Sequence, residues 1–372
     1  MKIVHILKGK ADPNTLNGVN KVVHHLATEQ LRLNHNVEVW GIASNPAIIR
    51  HQHDYPLHLF SANKNRFFIN FELKNKINSL PRNTIAHLHS VFLPELYAVG
   101  MALKKASIPF VLTPHGGYSP QSRKKKYFTK SIYMALFEKR LLSEAHKLHA
   151  IGQSEVNDLF ILAPSKSIVL LPNGQDLKEV MFTPTKTLLP IERPVFGYCG
   201  RLAKNHKGLD LLIKGFSQYK KTGGNGELWL IGDGPDKHFL KKLVRKEKVN
   251  NFVKFLGEMF GDIKLSHFSK MDVFVHPSRW DGIPMAVLEA AAIGKPLIVS
   301  QATNMGDFII RYDNGIVLNE NYPLNISKAM HKFNKLITNH GIKKIGANSI
   351  KLVKNELNWR TIAKQTISTL YL

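Results

Sequence analysis

The sequence predicts an α/β chain built as two doubly wound parallel-sheet domains in tandem. Three observations carry that prediction. Short β-branched runs alternate with helix-period stretches almost throughout, the runs are apolar on both faces, and the alternation restarts after a proline-bearing seam. The length of 372 residues is long for one compact domain and short for three.

In chain order, residues 2–7, 37–41, 84–88, 110–113, 148–151 and 168–171 read as strands of the first series, with helical periodicity over 19–33, 131–142 and 154–162. The seam at 182–194 carries Pro184, Pro190 and Pro194 and has no periodicity, which marks a linker. The second series has strands at 195–199, 228–231, 253–256, 273–276 and 297–299, and helices at 209–219, 237–247 and 284–293. The expected division is therefore 1–182 and 183–355. The apolar, helical tail 356–372 is expected to pack back on the first domain. Tandem open sheets place a cleft between them, and ligands in such folds lie outside the carboxyl ends of the strands.

Composition narrows the class. Hydrophobic residues at 44% and charged residues at 21% describe a globular protein with sizeable cores. One cysteine, Cys199, excludes an internal disulfide and fits a reducing cytosol. The apolar run at the N-terminus is closed by Lys8 and Lys10, too early for a signal peptide, and no segment holds the roughly 18 apolar residues of a membrane span. The net charge of +25 attracts polyanions: anionic lipid, phosphorylated ligands or nucleic acid. Up to residue 180 there are 23 basic and 12 acidic residues, beyond it 29 and 15, so the charge is spread and no detachable basic tail exists. The densest run, Arg123, Lys124, Lys125 and Lys126, precedes Tyr127 and Phe128. It reads either as a solvated helix start or as a docking point for an anionic membrane.

The segment 276–291 carries the strongest chemistry. An apolar strand leads into a loop with Asp281 and Gly282, then into a helix whose first turn accommodates Pro284. The start of that helix, with the backbone of Ile283, Pro284, Met285 and Ala286, is an anion site. Glu289 follows Asp281 by eight positions, so both carboxylates reach one cleft, where they suit the vicinal hydroxyls of a sugar or ribose. Taken singly, Asp281 is equally a helix cap and Glu289 a salt-bridge partner.

Gly200 ends another strand, followed by Arg201 and then by Lys207 and Gly208 at the next helix. Two cations at such a turn fit a diphosphate, Arg as a fork and Lys as a point charge. Gly232 and Gly234 let backbone approach a ligand, or simply make a turn. Residues 255–258 end a strand at the same edge. In the first domain, His115 sits in a loop after a buried strand, and Asn17 and Gly18 lie between the first strand and helix. G-x-G-x-x-G, Asp-x-Asp, H-E-x-x-H, P-loop and G-x-S-x-G patterns are all lacking. The pairs His87/His89 and His51/His53 come without a carboxylate cage, so no metal site is expected.

In order, these motifs resemble glycosyltransferase family 4, the retaining enzymes of GT-B fold: Asn17-Gly18, residues 113–117, residues 171–176, Gly200 to Gly208, residues 230–235, and Ser278 to Glu289 with the family's E-x7-E spacing. Asp281 stands where the family usually has Glu, and Asn17-Gly18 where Gly-Gly is common.

The resemblance implies a fold of two Rossmann-like domains facing across a cleft, and a metal-independent hexosyltransferase with no cofactor. A nucleotide-sugar donor, with UDP as the expected nucleotide, is a substrate. Arg201 and Lys207 would hold the donor diphosphate, Glu289 the ribose and Asp281 the transferred sugar. Gly18, Gly200, Gly282 and the amides from Ile283 to Ala286 would approach the donor, and His115 would touch its sugar. The resemblance further implies a saccharide or polyprenyl-linked acceptor in capsule, O-antigen or exopolysaccharide synthesis. The location would be the cytoplasm, at the inner face of the membrane. Two alternatives remain: a nucleotide-sugar 2-epimerase of the same architecture, and a non-enzymatic polyanion-binding protein. Against the second, no nucleic-acid reader motif interleaves aromatics with the cations.

Overall fold

The computed structural model describes every residue except 14, 16, 47–51, 125, 178–192 and 339–340. Most of the seam, with Pro184 and Pro190, therefore lies outside the described residues, as do Lys125 and His51. The chain divides into two compact units: Met1–Gly174 with Trp359–Leu372, and Gln175–Asn358. The division expected at 182/183 falls on undescribed residues, whereas the structure changes unit at Gly174 and again at Asn358.

The first unit holds a seven-stranded sheet. Its strands are β1 (Lys2–Lys8), β2 (Asn36–Ala43), β3 (Leu57–Ser61), β4 (Thr84–His89), β5 (Phe110–Thr113), β6 (Lys147–Ala150) and β7 (Ile168–Leu170), in the order β3-β2-β1-β4-β5-β6-β7. Every pairing is parallel. β4 and β5 are buried along their whole length, because helices cover both faces of a parallel sheet. The order reverses direction between β1 and β4, which makes their carboxyl ends the switch point of this unit.

The tail begins with the helix Trp359–Gln365, and the chain then widens into a π-helical turn, Thr366–Tyr371. Trp359 stacks on His25 with ring centroids 5.4 Å apart, and Tyr371 is buried in the same core as Ile3, Val23 and Val111. Residues 356–358, assigned by sequence to this tail, belong to the other unit.

The second unit holds a six-stranded parallel sheet: β8 (Val195–Cys199), β9 (Glu227–Ile231), β10 (Val253–Gly257), β11 (Val273–His276), β12 (Leu297–Ser300) and β13 (Gly315–Leu318), in the order β10-β9-β8-β11-β12-β13. Two apolar clusters build its interior. One packs Phe196, Phe216 and Phe333; the other packs Phe268, Phe274 and Leu288. Here the order turns between β8 and β11. The two loops that the sequence marked as carrying the chemistry thus leave adjacent strands at the switch point.

Candidate active site

The site of the second unit starts from glycine geometry. Gly208 closes the short helix Lys204–Lys207 at φ +64°, and a Cβ there would stand 2.0 Å from the carbonyl oxygen of Pro277. Only glycine lets the turn after β8 approach the loop after β11 so closely. Gly232 (φ +130°) does the same between neighbouring turns, its absent Cβ falling 2.1 Å from the Gly200 carbonyl oxygen.

Side chains then strap the two loops together. Arg279 donates to both oxygens of Asp210 at 2.8 Å and to the Lys204 carbonyl at 2.7 Å. Ser278 Oγ donates to the His206 carbonyl at 3.0 Å, and the His206 ring stacks on Trp280 at 4.9 Å. Bidentate pairing of this kind fixes orientation as well as distance.

This strapping brings Lys207 onto Asp281. The Lys207 ammonium donates to Asp281 Oδ2, and His276 Nε2, at the end of β11, donates to the same oxygen at 3.1 Å. Asp281 is held from behind as well: its N–H donates to the Ala302 carbonyl at 2.9 Å, and its own carbonyl accepts from Asn304 Nδ2 at 2.8 Å. Burial by itself would raise the Asp281 carboxyl, but the adjacent Lys207 charge and the His276 hydrogen bond hold it well below the usual carboxylate range. Asp281 is therefore an anion with both cationic and neutral donors on Oδ2. Its Oδ1 has no hydrogen-bond partner among the described residues.

Glu289 lies eight residues further on, in the second turn of the helix Met285–Ala292, and Lys264 Nζ donates to its Oε1 at 2.8 Å. Their side chains are only 11% and 9% exposed, so the ion pair is largely withdrawn from water. Lys264 was not singled out by sequence. It sits in the helix Gly261–Ser269 after β10, and nothing in the local sequence links it to Glu289, 25 residues away. The helix Met285–Ala292 begins one residue later than the sequence predicts, with Pro284 as its extended N-cap, no capping side chain and no acidic residue in its first turn. Its start keeps the positive end of the helix dipole next to Asp281, Gly282 and Ile283.

Arg201 emerges beyond Gly200 (φ +149°) and is exposed; its guanidinium has no ion-pair partner among the described residues. Its backbone is fixed, since the Tyr198 hydroxyl and the Ala203 N–H both donate to the Arg201 carbonyl, at 3.1 and 2.9 Å. The loops and helix at one switch point therefore carry an exposed guanidinium, a lysine–carboxylate pair and, eight residues on from Asp281, a second such pair.

In the first unit, Gly18 is the first residue of the helix Gly18–Arg32, and the Asn17 side chain accepts from the Val19 N–H at 3.1 Å as its N-cap. A Cβ on Gly18 would meet nothing within 4 Å, so backbone there is open to approach. His115 follows β5 at φ +52°, a left-handed conformation, and the next residue's N–H donates to Glu155 Oε1 at 2.6 Å. Burial lifts the Glu155 carboxyl to about 7 against the two backbone N–H groups it accepts. His115 itself is pushed down to about 3 by burial and by the nearby His149.

His87 and His89 gain a third neighbour, His5 of β1, and ligand atoms of the three lie within 4.8 Å of one another, which is the spacing of a metal cage. All six of their ring nitrogens are nevertheless engaged in hydrogen bonds with His115, Gln30, Thr113, Tyr371 or one another. An ion would have to displace that network.

Two family models account for nearly the whole chain. Residues 16–179 match glycosyltransferase family 4, and residues 182–349 match the glycosyl transferases group 1. The chain belongs to the group 1 glycosyltransferases of the family 4 type.

Among similar proteins, alpha-monoglucosyldiacylglycerol synthase of Acholeplasma laidlawii is 26% identical over 265 residues, 64% of this chain and 64% of that one. The O-antigen biosynthesis glycosyltransferase WclY of Escherichia coli is 36% identical over 112 residues, 30% of each chain. The chain thus spans less than two thirds of either relative. The structure of Anabaena Alr3699/HepE in complex with UDP-glucose superposes with a TM-score of 0.74 at 17% identity, covering all of this chain and 99% of that one. The fold is therefore GT-B, with two parallel-sheet α/β domains.

Proposed function

We propose that this chain transfers a hexose from a UDP-sugar, with retention of anomeric configuration and without a metal ion, to a saccharide or lipid-linked acceptor of the cell envelope. The observation that carries the reading is the Lys207–Asp281 pair beside Glu289 at the β8/β11 switch point. A sugar needs carboxylates for its hydroxyls, and a departing diphosphate needs cations. Asp281 Oδ1 is the acceptor for a hydroxyl of the transferred sugar, and Glu289 takes the ribose hydroxyls. Arg201, Lys207 and the start of the helix Met285–Ala292 take the diphosphate, with the backbone of Gly200 and Gly282 to Ala286 close against the donor.

In the reaction, the bond between the anomeric carbon and the diphosphate oxygen breaks while an acceptor hydroxyl oxygen bonds to the same face of that carbon. The hydroxyl proton passes to the leaving phosphate. Lys207 and Arg201 neutralise the charge that collects there, the task a divalent ion performs in other transferases. Support for UDP comes from the complex of the structural neighbour, and support for an envelope acceptor from the names of the two relatives.

A panel of nucleotide sugars tests this by thermal shift, because a ligand at 100 times its Kd stabilises by about 2.7 kcal/mol. UDP-sugars are expected to raise Tm by several degrees, equally with and without EDTA. A shift abolished by the chelator contradicts the metal-free reading, and a shift only with guanosine or adenosine sugars contradicts the donor.

The lipid acceptor has a surface to match. Arg123 and Lys124 end the helix Pro120–Lys124, and Lys126 caps the helix Tyr127–Tyr133. Beyond them Phe128, Ile132 and Leu136 recur at intervals of four residues and are 81%, 62% and 61% exposed. Cations beside an exposed apolar strip suit an anionic bilayer surface, each charge contributing about 1 kcal/mol. Among the described residues no helix is long and apolar enough to cross a membrane. In vesicle co-sedimentation, Phe128→Ser with Ile132→Ser is expected to weaken binding to anionic vesicles more than about tenfold. Unchanged binding of this variant contradicts a membrane role for the strip.

A further inference from the structure

Eight hydrogen bonds run unbroken through the first unit from the backbone of Leu171 to His115. The links are Leu171 O–His149 Nε2 (2.8 Å), His149 Nδ1–Thr113 Oγ1 (2.8 Å), Thr113 Oγ1–His87 Nε2 (2.6 Å), His87 Nδ1–Tyr371 OH (2.7 Å), Tyr371 OH–Gln30 Nε2 (3.3 Å), Gln30 Oε1–His5 Nε2 (2.8 Å), His5 Nδ1–His89 Nε2 (2.9 Å) and His89 Nδ1–His115 Nε2 (3.1 Å). The chain draws on five histidines from β1, β4, β6 and the loop after β5, and it crosses to the C-terminal tail through Tyr371.

The direction of every link follows from its first member. A backbone carbonyl only accepts, so His149 carries its proton on Nε2 and, being neutral, offers a lone pair at Nδ1. Thr113 must then donate its hydroxyl proton to His149 and accept from His87 Nε2–H. His87 Nδ1 is left as an acceptor, so the Tyr371 hydroxyl donates to it, and the Tyr371 oxygen accepts from the Gln30 amide. That turns the Gln30 carbonyl oxygen toward His5, whose Nε2–H donates to it. His5 Nδ1 accepts from His89 Nε2–H, and His89 Nδ1 accepts from His115 Nε2–H.

Neutrality, the one condition, has a clear physical origin. Four of the rings, His5, His87, His89 and His149, are buried in one another's company and His115 is half-buried beside them, where a charge would lack solvent and face like-charged neighbours. Burial lowers His5 and His149 to about 4, and His87 and His89 lie well below the usual value for the same cause, with their neighbours adding to it.

We infer that this chain sets the tautomer of His115: with Nε2–H committed to His89, His115 presents Nδ1 as a hydrogen-bond acceptor, and it therefore selects a ligand that offers a hydroxyl donor. His115 Nδ1 has no partner among the described residues. Resting on the transferase reading above, that donor is a hydroxyl of a substrate sugar. Gln30 and Tyr371 are positioning residues. They sit two or more side chains away from His115 and act by deciding which way the amide between His87 and His5 points. A reversed amide would turn His5, His89 and His115 into Nδ1–H tautomers and convert the acceptor into a donor.

Long-range proton–nitrogen NMR of the ligand-free protein with 15N-labelled histidine reads the tautomers directly, with His115 identified by the signal lost in His115→Ala. The expected result is the Nε2–H tautomer at His5, His87, His89, His115 and His149. An Nδ1–H tautomer at His115 overturns the inference. In Tyr371→Phe the amide loses the acceptor that orients it, so a second set of signals with Nδ1–H at His115 is expected. The KM for the sugar substrate should rise roughly tenfold while Kd for the free nucleoside diphosphate stays unchanged. Thr113→Val, which cuts the chain earlier, is the second variant should Tyr371→Phe not fold. A single, unchanged Nε2–H pattern in a folded variant overturns the relay. Because the spectra need no substrate, failure of the transferase reading would leave them as they are, and the two failures are told apart.

Discussion

Lys207→Ala is expected to lower kcat/KM for sugar transfer by about 10²- to 10³-fold, the loss typical when one preorganised donor to developing negative charge is removed. The size follows from position. Lys207 is tied by Gly208 and by the Arg279–Asp210 strap to the loop that carries Asp281, so no neighbouring cation can swing into its place without unpicking both. The same change leaves Asp281 paired with His276 alone, and stability falls as well. The pH dependence has a definite sign. The pair holds the folded carboxyl below its unfolded value of about 3.9, so its contribution is complete above that value and is lost as pH falls through the folded one. Thermal unfolding of wild type and variant should therefore differ most at neutral pH and converge in acid. A variant with near-normal turnover contradicts the role given to Lys207.

The second large effect separates the two carboxylates. Glu289→Ala is expected to weaken binding of free UDP by about 10- to 100-fold, the value of one or two charge-assisted hydrogen bonds. Asp281→Ala is expected to leave UDP affinity within about threefold of wild type while lowering transfer by orders of magnitude. Calorimetric titration of UDP into both variants checks this. Equal loss of UDP affinity in the two contradicts the division of ribose and sugar between them. In the glutamate variant the Lys264 ammonium is left behind without its 2.8 Å partner, so Lys264→Met combined with Glu289→Ala tests whether a stranded charge adds to the loss.

Much of this was legible in the sequence, for reasons that can be named. Strands such as Val195–Cys199 and Val273–His276 were read with their observed bounds because both faces are buried and the runs are continuously apolar. The strand Leu57–Ser61 was missed. It lies at the edge of its sheet, contains His58 and Ser61, and has no β-branched residue. Gly315–Leu318, an edge strand of the second unit's sheet, is four residues long and follows Asn314, where turn chemistry masks it.

The site divides in the same way. Asp281, Arg201 and Lys207 are visible because the segments that follow strand ends concentrate ligands, so a charged residue there stands out, and Glu289 is visible through its eight-residue spacing from Asp281. Lys264 and the histidine relay were invisible. Lys264 lies in a helix on a chain with 52 basic residues, and only the fold shows that it meets Glu289. His5, His87 and His149 are polar positions inside buried strands, and the parallel register that pairs His5 with His87 is set by the whole sheet, not by local pattern. Tyr371 reaches His87 across 284 residues of sequence.

A crystal structure of the chain with bound UDP tests the central claim most directly. The account predicts diphosphate oxygens within ion-pair distance of Lys207 and Arg201 at the ends of β8 and β11, and ribose hydroxyls hydrogen-bonded to Glu289. A nucleotide bound elsewhere, or one at this edge whose ribose does not touch Glu289, would contradict it.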